Sequence, residues 1–103
     1  MRYHTTDPYG VTHIEPDIAR MRRVLDLLDH ADDADHPDAA LVHESGWSIT
    51  VTAGGTAVLE NLEDGNQPAR IRLGVDKTDA LHLWERLASG DVDGLCDEAW
   101  DEV

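Results

Sequence analysis

Residues 47–62 read WSITVTAGGTAVLENL, two runs rich in β-branched residues on either side of a Gly-Gly pair. Such runs, joined through glycine, are typical of a β-hairpin. The first run alternates apolar with polar side chains, with Trp47, Ile49 and Val51 on one face and Ser48, Thr50 and Thr52 on the other. We therefore expect a strand whose apolar face meets a core and whose other face does not.

Glu60 decides how the two strands pair. A two-residue Gly54-Gly55 turn would set Glu60 opposite Ile49 on the apolar face, whereas a three-residue loop pairs Ile49 with Leu59 and moves Glu60 to the other face. Burying an unpaired carboxylate costs several kcal/mol. This cost is larger than the difference in free energy between two common hairpin loops. We expect the three-residue loop, with one glycine at positive φ.

This register has consequences for the outer face of the sheet. It leaves Val58 and Leu62 outward, where they form an apolar patch. It also brings Glu60 towards Arg70 and Arg72 of the next run, with which we expect cross-strand ion pairs. These four residues, Val58, Leu62, Arg70 and Arg72, are the candidate interaction residues.

Two further runs, 40–44 and 69–75, extend the hairpin on either side, so the sequence predicts a four-stranded antiparallel meander. An amphipathic pattern predicts a helix over 16–30, with Pro16 at its first position and Ile18 on its apolar stripe. A second helix should begin after Asp76 as N-cap and stop at Gly90, followed by a short docked helix in the tail.

The expected fold is therefore α+β, in the order α-β-β-β-β-α plus the helical tail, with both main helices packed on one face of the sheet. A chain of 103 residues suits a single domain spanning 1–103. Residues 1–15 are expected to form an irregular or strand-forming lead-in, and residues 101–103 to be frayed.

Charge restricts the partners. The chain carries 22 acidic against 8 basic residues, a formal net charge of −14. Nucleic acids and anionic membranes would be repelled, so we expect neither, and we expect a protein partner or self-association.

The single cysteine, the absence of a long apolar run and an N-terminus unlike a signal peptide predict a cytoplasmic protein. Abundant aspartate with a single lysine also suits a salt-adapted proteome.

Candidate chemistry is sparse. His30, Asp32 and His36 lie in an aspartate-rich connector and are weak candidates for binding a divalent cation, but their spacing matches no zinc or calcium motif. Acidic neighbours oppose activation of Cys96 as a nucleophile. The chain's one basic concentration, Arg20, Arg22 and Arg23, is expected to be neutralised by Asp26, Asp29 and the connector. No cofactor is expected.

With no catalytic constellation in view, the leading hypothesis is a non-enzymatic binding module. It would act as an inhibitor or immunity-like partner of a basic protein, or as a homodimer through the outward apolar patch. Two alternatives remain. One is a small metal-dependent enzyme using His and Asp/Glu side chains, and the other is a salt-adapted structural protein whose charge is not used for binding.

Overall fold

The structure, a computed structural model, describes residues 2–30, 38–66, 68–97 and 100. Six strands and three helices are found in this part of the chain. In chain order they are β1 Tyr3–Thr6, β2 Thr12–Ile14, α1 Ile18–Asp26 continued by a 3-10 turn over Leu27–His30, β3 Asp38–His43, β4 Trp47–Thr52, β5 Ala57–Asn61, β6 Arg70–Arg72, α2 Lys77–Ala88 and α3 Val92–Cys96.

The strands form one antiparallel sheet in the order β2-β1-β3-β4-β5-β6, so the α+β class is confirmed and the four-stranded meander is wrong by two strands. The two additional strands lie in the lead-in, which is therefore not irregular. Asp7 stabilises the turn between β1 and β2, because its Oδ1 accepts hydrogen bonds from the amides of Tyr9 at 2.9 Å and Val11 at 3.0 Å. β1 then pairs along β3, on the side that β4 leaves free.

The central hairpin has the predicted register. Ile49 pairs with Leu59, and the amide of Thr52 donates to the carbonyl of Thr56 at 2.9 Å, which closes a three-residue loop over 53–55. Gly55 supplies the positive φ, at 86°. A Cβ there would lie 3.2 Å from the carbonyl oxygen of Val75, so both the dihedral and the close approach favour glycine.

The placement of β6 differs from the prediction. Arg70 pairs with Leu59 and Arg72 with Ala57, so both arginines lie on the helix side of the sheet, whereas Glu60 lies on the opposite side. The expected ion pairs of Glu60 with these arginines are therefore wrong. Arg70 instead places its guanidinium carbon 5.9 Å from the centre of the Trp47 ring, a cation–π contact.

The helix boundaries follow their caps. Asp17, not Pro16, precedes the first helical residue, and its Oδ1 accepts from the amide of Arg20 at 2.8 Å, so Pro16 lies one residue outside the helix. Ile18, expected on the apolar stripe, is 53% exposed because the helix begins beyond the edge of the core. The predictions for α2, capped by Asp76 and followed by Gly90 at φ 84°, are confirmed.

Both main helices cover one face of the sheet. Trp84 of α2 is completely buried there, and its indole Nε1 donates to the carbonyl oxygen of Ile49 at 3.1 Å. Lys77 joins α2 to the end of α1 by pairing with Asp29 and, at 3.1 Å, with Asp26. These two carboxylates, which were expected to neutralise the arginines of α1, are therefore held by the lysine.

Candidate interaction surface

The face of the sheet opposite the helices is left uncovered by the described helices. We call it the open face. The strand register places thirteen side chains on it: His4, Thr6, Thr12, Ile14, Asp38, Ala40, Val42, Ser48, Thr50, Thr52, Val58, Glu60 and Ile71. Burial alternates accordingly along β3, where Ala39, Leu41 and His43 are buried towards the helices and their neighbours are half-buried.

Charge is sparse on the open face. Asp38 and Glu60 are its two carboxylates, and none of its thirteen residues is a lysine or arginine. Small and β-branched side chains make up most of the rest, so the face is flat and close to neutral although the chain carries 22 acids. Ser48 is only 2% exposed, because it lies at the centre of the sheet between Val42 and Glu60.

Acidic residues lie at the end of the sheet near the β3–β4 turn. Glu44 directly follows β3, and Glu63 lies two residues after the end of β5. Glu63 lies close to Gly46, because a Cβ added at Gly46 would be 2.9 Å from Oε2 of Glu63. Asp64 comes next, and its amide donates to Oδ1 of Asn61 at 2.9 Å. We call Glu44, Glu63 and Asp64 the acidic rim. They carry negative charge at the margin, where water still solvates it.

The four candidate interaction residues are divided by the sheet. Val58 lies on the open face, half-buried beside Ile71, and Leu62 just beyond β5 is 59% exposed. Arg70 and Arg72 lie on the other side and do not join them. Their role in binding stays a prediction. Sequence reasoning missed His4, Ile14 and Ile71, because the first two lie on unpredicted strands and the third was assigned to the core side.

A concavity of about 490 Å³ lies at the β1–β2 end of the open face. Ile14, His4 and Val42 line it from the sheet, and Arg2 and Glu44 from the ends of the neighbouring strands. Ile14 is 74% exposed, a large apolar side chain left in solvent at the edge of this hollow. The open face therefore offers a partner a recess at its β1–β2 end.

No group of three or more His, Cys, Asp or Glu side chains converges to hold a metal ion among the described residues. Two of the weak metal candidates, Asp32 and His36, lie outside the described residues, as does the side chain of His30. Residues 101–103, predicted to be frayed, also lie outside them. The metal assignment therefore stays untested.

A serine–histidine contact is present at the β3–β4 turn. The Oγ of Ser45 lies 2.8 Å from Nδ1 of His43, the distance expected of a nucleophile and its base. The same Nδ1 also accepts from the Ser45 amide at 3.1 Å, so the contact is part of a local turn. Nε2 of His43 is buried without a hydrogen-bond partner, and no described carboxylate orients the ring. This pair lacks the third group that a catalytic triad requires.

Comparison with protein-family models, with curated proteins and with solved structures gives no match to this chain. Within the described ranges, none of the helices is long and apolar enough to cross a lipid bilayer. A functional assignment must therefore come from the surface itself.

Proposed function

We propose that this protein is a non-enzymatic binding module that holds a basic protein partner against its open face. The observation that carries the proposal is a six-stranded sheet with one face that the described helices leave uncovered, which carries two carboxylates and has the acidic rim at one end. The small and β-branched side chains of this face can be desolvated at low cost, while Asp38, Glu60, the rim and the net charge of −14 attract a cationic partner and orient it. An inhibitory or immunity-like role follows where the captured surface includes the partner's own functional site.

Charge favours a basic partner over a second copy of this chain. Two copies would each bring −14 to the interface, and Asp38 and Glu60 of each face would meet no lysine or arginine on the other open face. Desolvating carboxylates without a counter-ion is costly. A partner that supplies lysine or arginine side chains at those two positions turns the same groups into attractive contacts.

Size adds a requirement on the partner. Six strands of three to six residues, spaced ~4.8 Å apart with a rise of ~3.3 Å per residue, give the open face a footprint of roughly 430 Å². Stable complexes bury about 800 Å² on each partner. The partner must therefore also cover the acidic rim or the concavity at the β1–β2 end, which places charged contacts at the margin of a central neutral area.

The test compares two variants with the same chemical change. Thr50 lies at the centre of the open face, and Thr78 is exposed on α2 in the helix layer. Thr50→Arg adds bulk and positive charge where the partner would lie, while Thr78→Arg adds the same charge elsewhere. Immobilised wild type and both variants are exposed to native lysate, and captured proteins are identified, purified and measured for affinity at increasing salt.

We expect a captured protein of basic composition that binds wild type and Thr78→Arg alike, loses affinity with salt, and is lost with Thr50→Arg. Matching melting temperatures would show that both variants fold. Capture that is absent, or equally affected by both variants, would refute the proposal. A dimer in light scattering that Thr50→Arg dissociates would assign the face to a second copy instead. A fold that requires molar chloride would mean that the acids serve salt tolerance, not binding.

A further inference from the structure

A second concavity, of about 420 Å³, lies between β2 and the first turns of α1, and it adjoins the first because Ile14 and Glu15 line both. Arg20 and Arg23 line it from the helix and His13 from the strand. We call it the arginine groove. The two arginines are three residues apart, so they share one side of α1, whereas Arg22 does not line the groove.

The arginines of this groove form no ion pair with any residue that the structure describes. Within the described ranges, neither Arg20 nor Arg23 has a carboxylate oxygen within 4.0 Å, although acids outnumber bases across the molecule. Lys77 holds Asp26 and Asp29, the acids at the C-terminal end of the helix. Both guanidinium groups are exposed and keep their donors available for a ligand.

A buried carboxylate, that of Asp7, fixes the imidazole ring of His13. Its Nε2 lies 3.2 Å from Oδ2 of Asp7, a carboxylate only 7% exposed whose other oxygen accepts two backbone amides. The ring is therefore fixed through one nitrogen, and Nδ1 remains as its second hydrogen-bonding atom. The two guanidinium groups supply the hydrogen-bond donors of the groove, and Nδ1 of the fixed imidazole donates to an anion only when the ring carries both protons.

We propose that the arginine groove binds a phosphate group, either free or carried on a larger molecule. Guanidinium groups match phosphate oxygens in bidentate geometry, and two of them line this one groove. Glu15 and Asp17 also line the groove and oppose an anion, although Oδ1 of Asp17 is engaged with the Arg20 amide. More distant acids are screened, because the Debye length is about 8 Å at physiological ionic strength.

The test is a titration of isotope-labelled full-length protein with inorganic phosphate, followed by amide chemical shifts. Chloride and acetate at matched ionic strength serve as parallel arms, and a phosphoserine peptide serves as the larger phosphate carrier. Arg20→Gln and Arg23→Gln should each weaken phosphate binding about tenfold, the effect of losing one charged hydrogen-bonded contact. Arg22→Gln removes the same charge outside the groove and should change affinity no more than about twofold. Glu15→Gln should strengthen binding.

The proposal would be supported if phosphate changes amide shifts only within residues 13–23 and if the variants change phosphate affinity as stated above. Stronger shifts with the peptide than with free phosphate would identify a carried group as the preferred source, and the reverse order would identify the free ion. Equal losses of phosphate affinity in Arg22→Gln and Arg20→Gln would show that general surface charge explains the binding, and would overturn the proposed site. Absence of phosphate shifts, or equal shifts with chloride or acetate, would overturn it as well. None of these outcomes depends on the open face.

Discussion

Glu15, between β2 and α1, has a left-handed backbone conformation with φ of 45°. It is the one non-glycine residue with positive φ among those described. Its amide donates to the carbonyl of Tyr3 at 2.9 Å, and the next residue, Pro16, has its carbonyl held by the Tyr3 hydroxyl at 2.9 Å. The surrounding contacts therefore fix the conformation, although the side chain itself is exposed. Replacing Glu15 with glycine should stabilise the fold.

The expected size follows from two opposing effects. A left-handed conformation costs an L-residue about 1–2 kcal/mol, and a following proline restricts the backbone further. Glycine removes that cost but adds freedom to the unfolded chain, which costs about 0.5–1 kcal/mol. We expect Glu15→Gly to raise the free energy of unfolding by about 0.5–1 kcal/mol, a rise in Tm of roughly 2–8 °C for a domain of this size.

Two neutral variants separate backbone strain from charge. Glu15→Gln keeps the strain and removes the charge, whereas Glu15→Asn removes the same charge and tolerates the left-handed region better. Urea unfolding of the four proteins, in concentrated salt to suppress general repulsion, should give the stability order Gly and Asn above Gln, with Gln close to wild type. Gly and Asn variants no more stable than Gln would refute the strain argument.

Three further predictions concern the core and the titrating groups. Trp84→Phe loses indole volume and the hydrogen bond to the β4 carbonyl, so urea unfolding should show a loss of about 2–3 kcal/mol. Hydrogen bonds, first with Asp29 and then with Asp26, raise the pKa of Lys77 above its ordinary 10.5. Its stabilisation should therefore be present below pH 10.5 and lost as pH rises through the raised value, so urea midpoints of wild type and Lys77→Met should converge there. Burial, followed by the charges of two nearby acids, raises the pKa of Tyr3 above 10.0. In absorbance titration the later phenolate step should be missing in Tyr3→Phe, and the stability that this group contributes should fall as pH rises above 10.0.

Residues close together in the sequence were sufficient to predict the central hairpin and α2. Glu60 and the glycine pair determined the loop between β4 and β5, because only one register keeps that carboxylate away from the core. Asp76 and Gly90 marked the ends of α2 for similar reasons, since a cap acts on residues within one turn. In both cases the deciding atoms lie close together in the chain.

The two N-terminal strands and the side occupied by β6 depended on tertiary structure. β2 and β6 have three residues each, too few for alternation to show which face is apolar. β1 pairs with β2 nearby in the chain, but it joins the main sheet only through β3, whose residues lie 34 to 40 positions away. The open face and the arginine groove exist only after that pairing is made. Charge and fold class could therefore be predicted from the sequence, whereas the surfaces available for binding were decided by long-range hydrogen bonds between short strands.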